Sequence, residues 1–245
     1  GGSMRTPQRT MPARPQQHAT VPPRTRPADR APQRQVQRNS VDRHTTINRN
    51  TNVNVNVNHI HNTVVRPNVH VHYTAPPYHY GGFHYYCHYP YRPYPYMPYY
   101  WGPAWHPWGF FVATMATTAI IISIHDQQYH YDQGVYYQST DGGYTVVPAP
   151  IGATVSSIPA KAEEVPVEGG ISNYYYGGTF YEKSDTGYTV VPPTAGTLVE
   201  KLPEGGEEVR IGERTYVKIG ETYYAPTEKD GKKMYEVVLV EEGEE

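Results

Sequence analysis

One cysteine, Cys87, in 245 residues leaves the chain neither an internal disulfide nor a thiolate metal cluster. Lysine is missing before Lys161. Through His125 the only acids are Asp29 and Asp42, against 12 arginines, a formal excess of ten positive charges. From Asp126 onward the balance reverses, with nine basic residues facing 21 acids. The net charge of −2 therefore conceals a basic half and an acidic half, the asymmetry of tails and surfaces rather than of one uniform globule. Long apolar runs are equally scarce, and only Trp108 to Ile124 qualifies. The motifs G-x-S-x-G, H-E-x-x-H and G-x-x-x-x-G-K-[ST] are absent, which removes the usual sequence signs of a nucleophile elbow, a zinc helix or a phosphate loop. No secretory signal is visible at the start, where Met4 to Gln17 is positively charged but not apolar. Gly1-Gly2-Ser3 looks like an expression scar or a trimmed end and is left out of the fold reading.

What is present divides into segments. Residues 1–50 carry ten Arg among Pro, Gln and Thr, with too little apolar surface to offset the entropy of ordering, and read as a disordered basic tail. Residues 51–74 form an Asn-Val and His-Val strand tract. In Asn52 to Asn58 the alternation is strict, so an extended chain puts Val53, Val55 and Val57 on one face and Asn54 and Asn56 on the other. Asn ladders backed by a dry valine face suit pairing between copies, and these five residues are the candidate self-assembly set. An unpaired polar tract is the alternative. Residues 75–107 are dominated by Tyr, Pro and His, and Pro90, Pro93, Pro95, Pro98, Pro103 and Pro107 deny donors to any regular ladder. The expectation is an extended wrap on another surface.

The apolar segment, 108–124, would be about 26 Å long as a helix against a hydrocarbon core of roughly 30 Å. Trp101, Trp105 and Trp108 cluster at its entrance, as aromatic residues do at a membrane interface. Gly109, Ala113 and Thr117 recur at four-residue spacing, a small face that lets helices approach. The expected membrane or interface residues are these six with Phe110, Phe111, Ile120, Ile121, Ile122 and Ile124. A buried helix or strand inside an assembly is the rival reading, since many of the residues are β-branched.

Residues 126–245 contain an internal repeat. Gly134, Tyr144, Ile158 and Val165 return 44 residues later as Gly178, Tyr188, Leu202 and Val209, and a truncated third copy runs through Tyr216, Gly220, Asp230-Gly231 and Tyr235. Short Tyr/Val strands between Gly-containing turns are meander chemistry, read here as units 126–169, 170–212 and 213–241. The expected fold class is mainly β: a C-terminal all-β domain of about three tandem meander repeats, one apolar helix, and an extended N-terminal half rich in Arg, Asn, Tyr and Pro.

The Trp-Gly-Pro-Ala-Trp-His-Pro-Trp-Gly-Phe-Phe stretch (101–111), the Ala-Thr-Thr-Ala-Ile that follows, and the G-x-x-Y…G-Y-x-V-V-P repeats together resemble an uncharacterised family of Gram-negative envelope proteins, known only as a domain of unknown function. The resemblance covers roughly residues 50–240. It implies an extracytoplasmic setting and offers no catalytic residues to carry over.

Few constellations suggest chemistry. Asp185-Thr186-Gly187 spells the aspartic-protease triplet, but its counterpart is Asp141-Gly142-Gly143 and both sit where a hairpin must turn, which Asp before Gly explains. His59/His61 and His70/His72 are spaced by two, so each pair shares a strand face and could bind a metal ion through imidazole. The arginine tail calls for an acidic surface, and without a recognition fold nucleic acid is not expected. Arginines on its N-terminal side would keep that flank of the apolar segment cytoplasmic, whereas the resemblance implies export of the whole chain. The leading expectation is a non-enzymatic structural and interaction protein in the envelope of a Gram-negative bacterium. It would self-associate as a homo-oligomer or larger assembly, contact the membrane through the apolar segment, and need no cofactor. A His-rich metal-binding protein is the alternative. A hydrolase ranks last, and would need a deep pocket lined by carboxylates or a His/Ser pair.

Overall fold

The computed structural model describes residues 73, 75–167 and 170–243. The basic tail and the Asn-Val and His-Val tract lie outside the described residues, apart from Tyr73. Among the described residues there are 18 strands and no helix, so the fold is mainly β.

A hairpin of β1 (Tyr78–Tyr80) and β2 (Phe83–Tyr86) comes first, and three five-stranded antiparallel sheets follow. The first unit holds β3 (Phe111–Val112), β4 (Ile120–Ile124), β5 (Gln127–Asp132), β6 (Val135–Thr140) and β7 (Gly143–Val147). The second holds β8 (Thr154–Val155), β9 (Glu163–Val167), β10 (Ile171–Tyr176), β11 (Thr179–Ser184) and β12 (Gly187–Val191). The third holds β13 (Leu198–Val199), β14 (Glu207–Ile211), β15 (Arg214–Ile219), β16 (Thr222–Lys229) and β17 (Lys232–Val237). In every unit the last four strands form a meander and the short first strand pairs with the last, giving the orders β3-β7-β6-β5-β4, β8-β12-β11-β10-β9 and β13-β17-β16-β15-β14. Finally β18 (Leu239–Glu242) pairs with β2.

Local chemistry explains the hairpins. The two-residue turns Gln133-Gly134, Gly177-Gly178 and Asp230-Gly231 have both central residues at positive φ, the backbone that matches the right-handed twist of the flanking strands. Packing explains the rest. With only four Phe and three Leu in the whole chain, tyrosine fills the core. Tyr129, Tyr136, Tyr175, Tyr181, Tyr216 and Tyr224 are almost wholly buried, interleaved with Val155, Val199 and Val237. Burial pushes the hydroxyls of Tyr136, Tyr175 and Tyr181 far above their ordinary pKa, so these rings act as neutral packing elements.

The apolar segment requires a correction. Expected as one helix over 108–124, it is a turn, the strand β3, a loop and the strand β4, and so supplies the first two strands of the first unit. Gly109 sits at φ +85, outside helical space, and the Ile120-Ile121-Ile122 run, costly in a helix, fits a pleated surface. Pairing with β5, from Ile120 opposite Tyr131 to Ile124 opposite Gln127, settles the choice. Among the described residues no helix is long and apolar enough to cross a membrane; crossing by strands is a separate matter.

Candidate functional site

The three units are joined by a repeated latch. Tyr131 on β5 donates its hydroxyl to Ser157 O at 2.9 Å, and Tyr175, at the same place on β10, donates to Lys201 O at 2.9 Å. Beside each latch a glycine makes room for the next unit's proline. A Cβ at Gly134 would lie 2.8 Å from Pro159 Cγ, and one at Gly178 would lie 3.0 Å from Pro203 Cγ. In the third unit the register puts Lys218 in the tyrosine position and Glu221 in the glycine position. Those two form an ion pair at 3.5 Å instead. The third unit thus carries a charged pair where the first two carry a joint.

The Tyr/Pro segment after β2 forms a strap that passes over the units in reverse order. On the third unit, Arg92 N donates to Pro226 O at 2.9 Å, and Tyr94 and Tyr96 donate their hydroxyls to Met234 O and Pro203 O. On the second, Trp101 packs edge-on against Tyr175 and Tyr176 at 5.8 and 5.0 Å, and Trp105 sits so close to Gly177 that a Cβ there would be 2.2 Å from Nε1. On the first, Gly109 N donates to Val146 O and Val146 N to Phe110 O, both at 2.8 Å. Proline explains the style of docking: a strap with few ladder donors is held by side-chain hydroxyls and rings.

Glu236 clamps the strap where it begins. Its carboxylate accepts the His88 N–H at 2.5 Å and the Tyr89 N–H at 3.0 Å, although the residue is fully buried on β17. The strand registers place Thr145 and Thr189 at the equivalent positions of the first two units. Burial pushes the Glu236 carboxyl up to about 7, and the two backbone donors pull the other way. Next to it, burial and then the Glu236 charge hold the Cys87 thiol well above its usual range, the opposite of an activated thiolate.

The first unit has an open end. Strand β4 lies at the edge of its sheet and, among the described residues, pairs only with β5. Register aligns Ile120 and Ile121 with Glu163 and Glu164 of β9 and with Glu207 and Glu208 of β14; Ser123 aligns with Pro166 and Arg210. Charges and proline are the devices by which sheets protect their edges. The second unit has both and the third has charges, and each also has a local partner: Glu163 meets Lys201 Nζ at 2.8 Å, and Glu208 accepts Tyr96 N–H at 2.8 Å. The first unit has neither device. Ile120 is 44% and Ile121 61% exposed, and at the other edge Phe110 and Phe111 are 43% and 51% exposed. Between Pro93 and His125 no Asp, Glu, Lys or Arg occurs in the chain. His106 stacks on Phe110 at 4.2 Å, and burial lowers its pKa, which favours its neutral form. A cleft of about 510 Å³ opens beside Ile120, bounded by Thr118, Asp132 and the Ser156–Lys161 loop.

The residues singled out from sequence are therefore scattered. Trp101 and Trp105 are buried against the second unit and Trp108 is half-buried, so the tryptophans serve the interior; Phe110, Phe111, Ile120 and Ile121 are exposed; Ile122 and Ile124 are partly covered. Gly109, Ala113 and Thr117 are exposed and lie on no common helix face. Asp185 and Thr186 make an exposed two-residue turn between β11 and β12. The metal candidates His59, His61, His70 and His72 and the assembly candidates Val53 to Val57 lie outside the described residues. Among the described residues no three His, Cys, Asp or Glu side chains gather in a metal-binding group. A second cleft, about 590 Å³, is lined by Glu163, Glu164, Glu200, His88 and Lys229, with no Ser, Thr or Cys in its wall. Sequence reasoning missed Glu236, whose signal was a carboxylate standing in Tyr-Glu-Val-Val where the other units read Tyr-Thr-Val-Val.

Compared with known proteins, residues 62–241 match the model of a family of unknown function, DUF6515. The chain belongs to that family. No curated protein and no solved structure matches it.

Proposed function

We propose that this member of the family is a non-enzymatic structural and interaction protein of the cell envelope, which self-associates through the open end of its first unit. The observation that carries the reading is the replacement of Glu-Glu by Ile120-Ile121 on an unprotected edge strand. An exposed aliphatic edge with unpaired backbone groups is costly to keep in water and favourable to cover. The latches and the strap hold three units as a rigid mount for that end. Phe110 and Phe111 expose aromatic surface at the opposite edge of the same sheet, which suits that edge to lie against lipid at an envelope membrane.

The test copies the second unit into the first. In Ile120→Glu/Ile121→Glu the edge acquires the protection found in β9. Sedimentation equilibrium of the full chain is expected to show self-association that this double variant weakens at least tenfold. Co-sedimentation with phosphatidylglycerol/phosphatidylcholine vesicles measures the lipid component separately. Self-association that persists unchanged in the variant counts against the reading.

A further inference from the structure

Resting on that reading, we propose that the Asn-Val tract of a second copy, Asn52 to Asn58, completes the first sheet by adding as a strand alongside β4. Backbone requirements come first. Strand β4 is five residues long and offers one row of N–H and C=O groups that no described strand pairs with, and the tract is seven residues long with no proline, so every position can take part in a ladder. Side-chain alternation comes second. Ile120, Ile122 and Ile124 share one face of β4, while Ile121 and Ser123 share the other. An added strand with Val53, Val55 and Val57 beside the first row lengthens the apolar face, and its Asn row then lies on the other face with its amides in water.

Charge points the same way. No Asp, Glu, Lys or Arg occurs from Thr51 to Val65 or from Pro93 to His125, so neither strand brings a charge that pairing would have to desolvate. The edges of the other two units, each starting Glu-Glu, would impose that cost and are poorer acceptors.

Chain direction favours a second copy. The tract joins the described chain at Tyr73, whose ring stacks on His88 at 4.6 Å on the third unit, whereas β4 belongs to the first. The strap needs residues 88–111 to travel from one to the other. A tract leaving from the third unit of one copy and docking on the first unit of the next makes a heterologous, head-to-tail contact, which builds rings or open chains rather than two-fold dimers.

The test uses the full chain in a Cys87→Ser background. One preparation carries Val53→Cys, Val55→Cys or Val57→Cys; another carries Ile120→Cys, on the same face of the proposed sheet; they are mixed and oxidised. The expected result is an interchain disulfide between unlike partners for at least one tract position, exceeding that between like partners. In parallel, Val55→Pro, which removes a ladder donor, is expected to weaken association at least tenfold in sedimentation equilibrium, and combining it with Ile120→Glu/Ile121→Glu to weaken it little further. If the isoleucine variant abolishes association while Val55→Pro leaves it intact, the tract is not the occupant, though the open edge survives. If neither variant alters association, both ideas fall. In a chain that carries both Val55→Cys and Ile120→Cys, a disulfide that forms only within the chain overturns the second-copy assignment.

Discussion

The first unit and the two that follow share one strand order and one latch, yet they treat their edge strands in opposite ways. In the second and third units the edge opens with paired glutamates and is answered by a neighbour, Lys201 in one case and the strap backbone at Tyr96 in the other. In the first unit the same positions are isoleucines, flanked by a charge-free run. The third unit differs in turn at its far side, where Lys218 and Glu221 occupy the places of the latch tyrosine and the close-packed glycine. One repeated framework thus carries a closed end and an open end. Repeats need terminal units unlike the interior ones, because each interior face expects a partner.

Exchanging residues between units breaks this comparison where it matters most. The largest effect is expected from Gly178→Glu, which installs the third unit's residue at a joint in use. The position has φ +93 and Pro203 packed over it, so left-handed strain and overpacking together cost roughly 2–5 kcal/mol, read as a loss of denaturation midpoint. The reciprocal Glu221→Gly removes the partly exposed ion pair with Lys218 and is expected to shift stability by about 1 kcal/mol. Comparable losses at the two positions would mean that no joint distinguishes them.

Glu236 sharpens the contrast between the third unit and its Thr-bearing relatives. Its folded carboxyl is raised to about 7 from 4.5. The protonated form therefore stabilises the fold, fully below the lower value, and that contribution is lost as pH rises through the upper one. Between pH 5 and pH 8 the chain is expected to lose on the order of 2–3 kcal/mol from this group, and Glu236→Gln to remove that part of the slope. Chemical denaturation at both pH values provides the check; an unchanged slope in the variant contradicts the assignment. Smaller still are the latches: Tyr131→Phe and Tyr175→Phe each delete one hydroxyl–carbonyl bond and are expected to cost about 1 kcal/mol alike. Unequal costs would show that the two joints are not equivalent. Asp185→Asn, at an exposed turn, is expected to stay within about 0.5 kcal/mol of the parent.

The β repeat was legible because turn chemistry recurs: Gly134 and Gly178 need the same left-handed backbone, and Tyr144 and Tyr188 the same strand. The first two strands of the first unit were hidden by the feature that makes them informative. Ile120-Ile121 shares no chemistry with Glu163-Glu164, so in sequence the repeat starts only at β5 and the apolar run has the composition of a membrane helix. Residue type also misled for the aromatics. A tryptophan cluster fits a bilayer interface and a strap buried on tyrosines equally well, and only tertiary contacts with Tyr175, Tyr176 and Gly177 separate the two. From sequence, Phe110, Phe111, Ile120 and Ile121 are expected on one helix; in the structure Phe111 and Ile120–Ile121 lie on the two opposite edge strands of the first sheet, which period-two reasoning over Ile120 to Ile124 alone could not reveal because nearly every position is apolar.

Amide hydrogen exchange followed from dilute to concentrated solution tests the open end most directly. The expected result is protection that rises with concentration along Ile120–Ile124 while Glu163–Val167 and Glu207–Ile211 stay constant. Association that leaves the Ile120–Ile124 amides unchanged, or protects the three edge strands equally, contradicts the assignment of the first unit as the docking end.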